Sequence, residues 1–237
     1  MIDILMLSTK EIELYTKYSI PIWKKYCETH NYQFYHFCEK LIPDMAFTWS
    51  RIKMIQLHLE KVKSDYVIMV DADTFIYHNN LNFKLEHLID KYMVDGKEVL
   101  FQRDGSDRFG LYFSHNFKLS YEMKRWKLPN AGFNIMKNSD NVREMINEWL
   151  DLGQNKLRHL ADIHPRTQNV LLRGVMQNPK YNEIIGYLPS SIVSKRNTKF
   201  CRHLSAMTKE QIAAQIKTEY DKYEFMTSDM YLLNGSF

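Results

Sequence analysis

The spacing of apolar residues along the first hundred positions switches repeatedly between the period of a strand and that of a helix. The segments that show it are a strand over 2–7, a helix over 14–30, a strand over 32–38, a helix over 50–62 and a strand over 66–70. Strands that alternate with helices form right-handed βαβ units around a parallel sheet. We therefore predict an α/β domain with a mostly parallel sheet flanked by helices.

Beyond about residue 105 the apolar pattern becomes less regular. Strands are predicted over 98–102, 132–136 and 184–188, and helices over 85–93, 140–152, 167–173 and from Thr208, which forms a capping-box pattern with Gln211. Ser50 and either Ser139 or Asp140 are placed to cap helices, and Gly153 is placed to end one. Because no repeat or linker divides the chain, we expect one domain over residues 1–237.

Composition narrows the class of protein. The 237 residues carry a net charge of +4, which is too mild for a dedicated nucleic-acid binder and permits an anionic small ligand. The three cysteines show no metal-site or disulfide spacing, so we expect free thiols in a reducing compartment. The N-terminus lacks a signal-peptide pattern, and no apolar run reaches the roughly 20 residues that span a bilayer. These features predict a cytoplasmic or otherwise soluble intracellular protein without a membrane span.

Two carboxylates follow the apolar run at 66–70. Asp71 and Asp73 are spaced i, i+2 directly after a strand that reads as buried on both faces. Ligands of open α/β sheets bind outside the carboxyl ends of such strands. Two carboxylates this close repel each other unless a cation or a proton lies between them. The pattern predicts a metal site, and the alternative is a strand that ends in a polar turn.

Four sequence blocks resemble metal-dependent glycosyltransferases of the GT-A fold, above all the galactosyl/xylosyl/mannosyltransferase family of plant xyloglucan and yeast mannan enzymes. The first two are Thr-Trp-Ser-Arg-Ile-Lys at 48–53 and the strand with its Asp-Ala-Asp-Thr end at 64–74. The later blocks lie at 130–139 with 148–150, at 167–172 and at 203–206. The resemblance covers about residues 48–206, but Thr167 stands where the family has Asp and Ala206 where it has Gly.

The resemblance implies a single GT-A, Rossmann-like domain that moves a hexose or pentose with retention. The donor is a nucleotide-diphosphate sugar, with a UDP-sugar expected, and the acceptor is a glycan or another hydroxyl compound. Residues of about 1–105 are expected to bind the nucleotide sugar, and residues of about 106–237 the acceptor. A divalent cation would stabilise the negative charge that grows on the departing diphosphate.

The resemblance, together with positions at the ends of predicted strands and helices, gives individual residues expected roles. Asp73 is expected to bind the metal, Asp71 the metal or the ribose, and His203 the metal as a third ligand. Carboxylates suit Mg²⁺ or Mn²⁺, and an imidazole favours Mn²⁺. The residues expected to contact the donor are Ser8, Thr9, Lys53, Ala72, Asn130 and Gly132. Gln168 is expected beside the anomeric carbon and Asp104 near the sugar hydroxyls, while Asp162, with His159 and His164, is the general-base candidate if the enzyme inverts.

Two other functions remain open from the sequence. Asp71-Ala72-Asp73-Thr74 also resembles the nucleophile loop of haloacid-dehalogenase-type phosphatases, with Asp71 as nucleophile and Asp73 as acid and base. That loop normally follows the first strand, whereas two strand–helix units precede it here, and no late apolar run ends in a pair of aspartates. A non-catalytic sugar-binding module is the other alternative, and it would bind carbohydrate without hydrolysing sugar nucleotides.

Overall fold

A six-stranded sheet runs through the computed structural model, which describes residues 1–103, 129–194, 198–205 and 207–223. In spatial order its strands are β2 (Gln33–Phe37), β1 (Ile2–Leu7), β3 (Tyr66–Asp71), β6 (Pro129–Lys137), β5 (Val99–Arg103) and β7 (Ile185–Leu188). A second sheet of three short strands has the order β4 (Thr74–Ile76), β9 (Cys201–His203) and β8 (Val193–Ser194). In the large sheet β6 runs antiparallel to β3 and β5, and the other pairs are parallel.

Helices cover both faces of the large sheet. They are α1 (Glu13–His30), α2 (Ser50–Lys61), α3 (Glu86–Tyr92), α4 (Asp140–Gln154), α5 (Arg158–Ala161), α6 (Arg166–Arg173), α7 (Pro179–Ile184) and α8 (Lys209–Tyr220). Within the described ranges, none of them has both the length and the apolar character needed to cross a bilayer.

Alternate residues of the central strands enter two separate cores. On β3, Val67 and Met69 pack with α2 and α4 side chains, whereas Ile68 and Val70 pack with side chains of α1 and α8. Such a strand is buried on both faces, which is why its sequence is an unbroken apolar run. The predicted α/β fold with a mostly parallel sheet is confirmed.

Three of the predicted helix-end signals can be compared with the structure. The capping box of Thr208 and Gln211 is confirmed at the start of α8. Ser50 does not cap α2: it is the first helical residue, and its Oγ accepts a hydrogen bond from the N–H of Leu41 at 2.9 Å. Gly153 does not end α4, which continues to Gln154, and its missing Cβ leaves room for the ring of Trp49.

Glu219 connects α8 to the chain that follows β4. Its buried carboxylate accepts hydrogen bonds from the backbone N–H of His78 at 2.6 Å, from Nδ1 of His78 at 2.7 Å and from Nζ of Lys222 at 2.8 Å. Burial alone would raise the pKa of Glu219, but the hydrogen bonds from His78 and Lys222 outweigh it and lower the pKa. The folded state therefore favours the ionised carboxylate.

We expect Glu219→Gln to lower the free energy of unfolding by about 1–3 kcal/mol at pH 7, because a buried charge-assisted network loses its anion. Since folding lowers this pKa below the ~4.3 of a solvated glutamate, the stabilisation is present above that pH and is lost as pH falls through the folded pKa. Urea titrations of both proteins at several pH values measure the difference. The exposed Glu60→Gln is the control, and an equal loss in both variants, or a loss independent of pH, would contradict the assignment.

Candidate active site

Three side chains of metal-ligand type meet at the carboxyl end of β3. Asp71 is the last residue of β3, Asp73 lies in the turn to β4, and His203 is the last residue of β9. Antiparallel pairing of β4 with β9 sets His203 opposite Thr74, and the N–H of Leu204 donates to the carbonyl of Asp73 at 3.0 Å. The pairing of β4 with β9 therefore places His203 beside Asp71 and Asp73, which lie far from it in the sequence.

The three ligand atoms have spacings that suit a single cation. Nε2 of His203 lies 3.6 Å from Oδ2 of Asp71 and 3.4 Å from Oδ1 of Asp73, and all three lie within 4.8 Å of one another. Neighbouring ligands at right angles around one Mg²⁺ or Mn²⁺ ion are about 3 Å apart. The imidazole is buried at 3% exposure, whereas the carboxylates are 22% and 17% exposed. The donor set fits a hard divalent cation approached from solvent on the carboxylate side.

Two neighbours constrain the ring of His203. Its Nδ1 is 3.1 Å from Oε1 of Gln102, which is buried on β5. An amide oxygen only accepts, so a hydrogen bond at this contact requires the hydrogen on Nδ1, and Nε2 is the ring nitrogen that faces the two carboxylates. On the adjacent strand β6, a Cβ at Gly132 would lie 2.1 Å from Cε1 of the same ring.

Arg51 supplies positive charge beside the carboxylates. Its guanidinium forms an ion pair with Oδ1 of Asp71 and donates to the carbonyl of Ala131 at 3.3 Å. Burial lowers the pKa of Arg51 to about 10, against a smaller raising effect of Asp73, so the side chain remains a cation at neutral pH. This charge offsets part of the repulsion between the two aspartates.

Sequence reasoning named Lys53 and missed Arg51, although both belong to the same sequence block. In the structure Nζ of Lys53 donates to Oε1 of Gln56 at 2.7 Å, along α2. Residues two apart on a helix point to opposite sides, so Arg51 and Lys53 cannot both face the carboxylates. The helical period of α2 indicates that only one of the two residues faces the aspartates. The sequence alone does not show which side of the helix that is. A donor contact by Lys53 stays a prediction.

Ser8 and Thr9 follow β1 at the edge of the sheet where Asp71 ends β3. Leu7 pairs with Asp71 in the parallel register, so Ser8 begins the neighbouring loop. Its Oγ hydrogen-bonds Nε2 of His36 at 2.7 Å. Ala72 is buried in the turn between the two aspartates. Ser8, Thr9 and Ala72 therefore lie at one edge of the sheet, and their contacts with the donor stay a prediction.

Asn130, Gly132 and Gln168 form a second group around the start of β6, the strand whose Gly132 lies against the ring of His203. Oδ1 of Asn130 accepts from the N–H of Gly132 at 2.8 Å, and Nε2 of Gln168 donates to the carbonyl of Pro129 at 3.0 Å. This hydrogen bond holds Gln168 of α6 to the start of β6, the same strand whose Gly132 makes room for His203.

Asp162 and Asp104 are the two remaining candidates for catalytic residues. The carboxylate of Asp162 is 57% exposed and pairs with Nε of Arg158 at 3.3 Å, and none of its hydrogen bonds described here reaches Asp71, Asp73 or His203. Asp104 lies outside the described residues, so its contact with sugar hydroxyls stays a prediction.

Solved glycosyltransferase structures of the GT-A fold superpose on this chain. A glycosyltransferase involved in glycosylation of the major capsid of PBCV-1 superposes with a TM-score of 0.70 and 15% identity, over 92% of this chain and 98% of that one. The galactosyltransferase LgtC, solved with donor and acceptor sugar analogues, gives 0.52 and 12% over 92% and 96%. Mouse xyloside xylosyltransferase 1 gives 0.54 and 10% over 86% and 98%. The fold of this chain is therefore the GT-A fold.

The chain belongs to the galactosyl transferase GMA12/MNN10 family, whose model matches residues 8–229. No curated protein sequence matches it significantly. Family membership makes the protein a glycosyltransferase with an Asp-x-Asp-type metal site, and the predicted resemblance is confirmed. The alternatives of a phosphatase and of a non-catalytic module are thereby set aside.

Proposed function

We propose that the protein transfers a hexose or pentose from a UDP-sugar to a hydroxyl group of a glycan, with Mn²⁺ as cofactor and with retention of anomeric configuration. The observation that carries the proposal is the meeting of Asp71, Asp73 and His203 at the end of β3 in a chain of this family. One imidazole with two carboxylates favours Mn²⁺ over Mg²⁺. The galactosyl- and xylosyltransferases with the same fold support a hexose or pentose as the transferred group.

In the proposed reaction the bond between the anomeric carbon and the diphosphate oxygen breaks, and a bond to the acceptor oxygen forms. The acceptor hydroxyl gives its proton to an oxygen of the departing diphosphate, and UDP leaves with the electron pair of the broken bond. A bound cation supplies electrostatic stabilisation of the departing diphosphate. We assign Asp73 and His203 to hold that cation and Asp71 to bind the cation or the ribose. Ser8 and Thr9, at the same edge, are assigned to the nucleotide.

The proposal of retention draws on Gln168 and Asp162. Gln168 is anchored to β6 beside Asn130 and Gly132, where it can border the transferred sugar. Asp162, which an inverting mechanism would use as the base, is engaged by Arg158 at the surface. We further propose that residues of about 1–105 bind the donor and residues of about 106–237 bind the acceptor. His203 would be the residue of the second half that binds the metal.

A panel of UDP- and GDP-sugars tests the proposed reaction. We expect hydrolysis or transfer of one UDP-sugar in the presence of Mn²⁺ and its loss with excess chelator. NMR of the product at early times should show the anomeric configuration of the donor. Turnover that is unaffected by chelator would contradict the metal assignment, and an inverted product would contradict retention.

Ligand binding should also raise the thermal stability of the protein. We expect UDP and Mn²⁺ together to raise the melting temperature, because a ligand that binds only the folded state adds about 2.7 kcal/mol at 100 times its dissociation constant. Mn²⁺ without UDP should have a much smaller effect, since the diphosphate completes the ligand set. Differential scanning fluorimetry measures the shifts. An equal shift with Mn²⁺ alone would show that the nucleotide takes no part in the metal site.

A further inference from the structure

We propose that Gln102 is a positioning residue that holds the imidazole of His203 in the tautomer and orientation required for metal binding. The inference rests on the proposed function, because it concerns how this chain prepares its own ligand. Gln102 lies on β5 and His203 on β9, so the contact joins the large sheet to the small one.

The first line of support is the hydrogen bond itself. Nδ1 of His203 donates to Oε1 of Gln102 at 3.1 Å, and both side chains are buried. With Nδ1 held by Gln102, Nε2 is the ring nitrogen that faces the oxygens of Asp71 and Asp73, at 3.6 and 3.4 Å. A partner of this kind fixes the ring of a metal-binding histidine, and its loss typically lowers metal affinity ten- to a hundredfold.

The second line of support is the irregular pairing of β5 with β6. Phe101 pairs with Asn134, but the next residue, Gln102, pairs with Asn130, so the register on β6 jumps at this point. Bulges beside active sites re-aim side chains. The residues skipped by the jump include Gly132, whose missing Cβ leaves the space that the imidazole fills. Strand β5 therefore provides the hydrogen-bond acceptor for the imidazole of His203, and β6 leaves the space that the imidazole occupies.

The variants Gln102→Met and Gln102→Glu distinguish a hydrogen bond that positions the ring of His203 from simple packing of the Gln102 side chain. Methionine has a similar length but no strong acceptor, whereas glutamate retains an oxygen for Nδ1. Isothermal titration of Mn²⁺ in the presence of UDP should show an affinity roughly ten- to a hundredfold lower for Gln102→Met and close to that of the parent protein for Gln102→Glu. Pulsed electron paramagnetic resonance of the bound Mn²⁺ should show a coupled imidazole nitrogen in the parent that weakens in Gln102→Met.

The matched control is Asp3→Asn. Asp3 is another buried acceptor for a histidine, with Oδ2 at 2.7 Å from Nε2 of His58, and neither residue takes part in the candidate metal site. We expect this variant to lose stability and to keep its Mn²⁺ affinity. Equal affinities of the parent protein and Gln102→Met, with unchanged nitrogen coupling, would overturn the inference and leave the proposed function standing. A parent protein that binds no Mn²⁺ with UDP would overturn both.

A measurement on the parent protein covers the case in which Gln102→Met does not fold. In protein labelled with ¹⁵N-histidine and free of metal, NMR reports which ring nitrogen of His203 carries hydrogen, with the signals assigned by their loss in His203→Asn. The proposal predicts hydrogen on Nδ1. A ring that carries hydrogen on Nε2 and none on Nδ1 would overturn it.

Discussion

Replacing Asp73 by asparagine is expected to lower the rate of sugar transfer by roughly 10³-fold or more, because a metal ion contributes several kcal/mol of charge stabilisation and each ~1.4 kcal/mol is tenfold in rate. Folding should be preserved, since the variant removes one of two neighbouring negative charges at a partly exposed position. Initial rates with saturating Mn²⁺ and UDP-sugar, beside thermal melting curves, measure both effects.

The control for this variant lies at the other end of the same strand. Asp65, exposed just before β3, pairs with the N-terminal ammonium of the chain, and Asp65→Asn should retain the parent rate. Transfer at the parent rate by Asp73→Asn would remove Asp73 from the metal site. So would a rate that falls equally in both variants.

Gly132→Ala is expected to produce the second large effect, a loss of Mn²⁺ affinity and of transfer by roughly two orders of magnitude. The new Cβ would lie 2.1 Å from Cε1 and 2.4 Å from Nδ1 of His203, so the ring must leave its position. A displaced ring cannot keep both its bond to Gln102 and its approach to the carboxylates. Mn²⁺ titration in the presence of UDP measures the affinity, and assays at high Mn²⁺ show whether the rate recovers.

Gly153→Ala is a matched control for the steric part of this effect. Its Cβ would lie 2.2 Å from Cη2 of Trp49, which is a comparable clash with a buried ring away from the metal ligands. Overpacking of a core costs about 1–3 kcal/mol, so both variants should be less stable. Only Gly132→Ala should lose Mn²⁺ affinity at temperatures where both are folded. Equal affinities would show that the room beside His203 is unimportant.

The fold and the aspartate pair were predictable because local sequence carries their signals. β3 is an unbroken apolar run that ends in Asp71, as a strand buried on both faces requires. Thr208 and Gln211 cap α8 by contacts within a single turn. Both signals are contained in a short stretch of sequence, so they can be recognised without knowledge of the rest of the fold.

The surroundings of the metal site depend on contacts between distant segments, which no local pattern encodes. Gln102 is an ordinary strand residue until β9 brings His203 to it. The sequence predicts Gly132 as a donor contact, whereas the structure shows that it makes space for an imidazole.

The two helix-end errors have the same origin. Ser50 and Gly153 carry typical cap signals, but tertiary contacts with Leu41 and Trp49 use them differently. Arg51 was missed because the sequence did not show which side of α2 faces the aspartates.

The most direct test of the metal site is anomalous diffraction at the manganese edge from crystals grown with Mn²⁺ and UDP. We predict a single strong peak at the end of β3, bonded to Nε2 of His203 and to a carboxylate oxygen of Asp73 at the ~2.0–2.2 Å typical of such ligands, with UDP oxygens completing the coordination. A manganese peak that is bound by UDP but lies out of bonding range of both Asp73 and His203 would contradict the assignment.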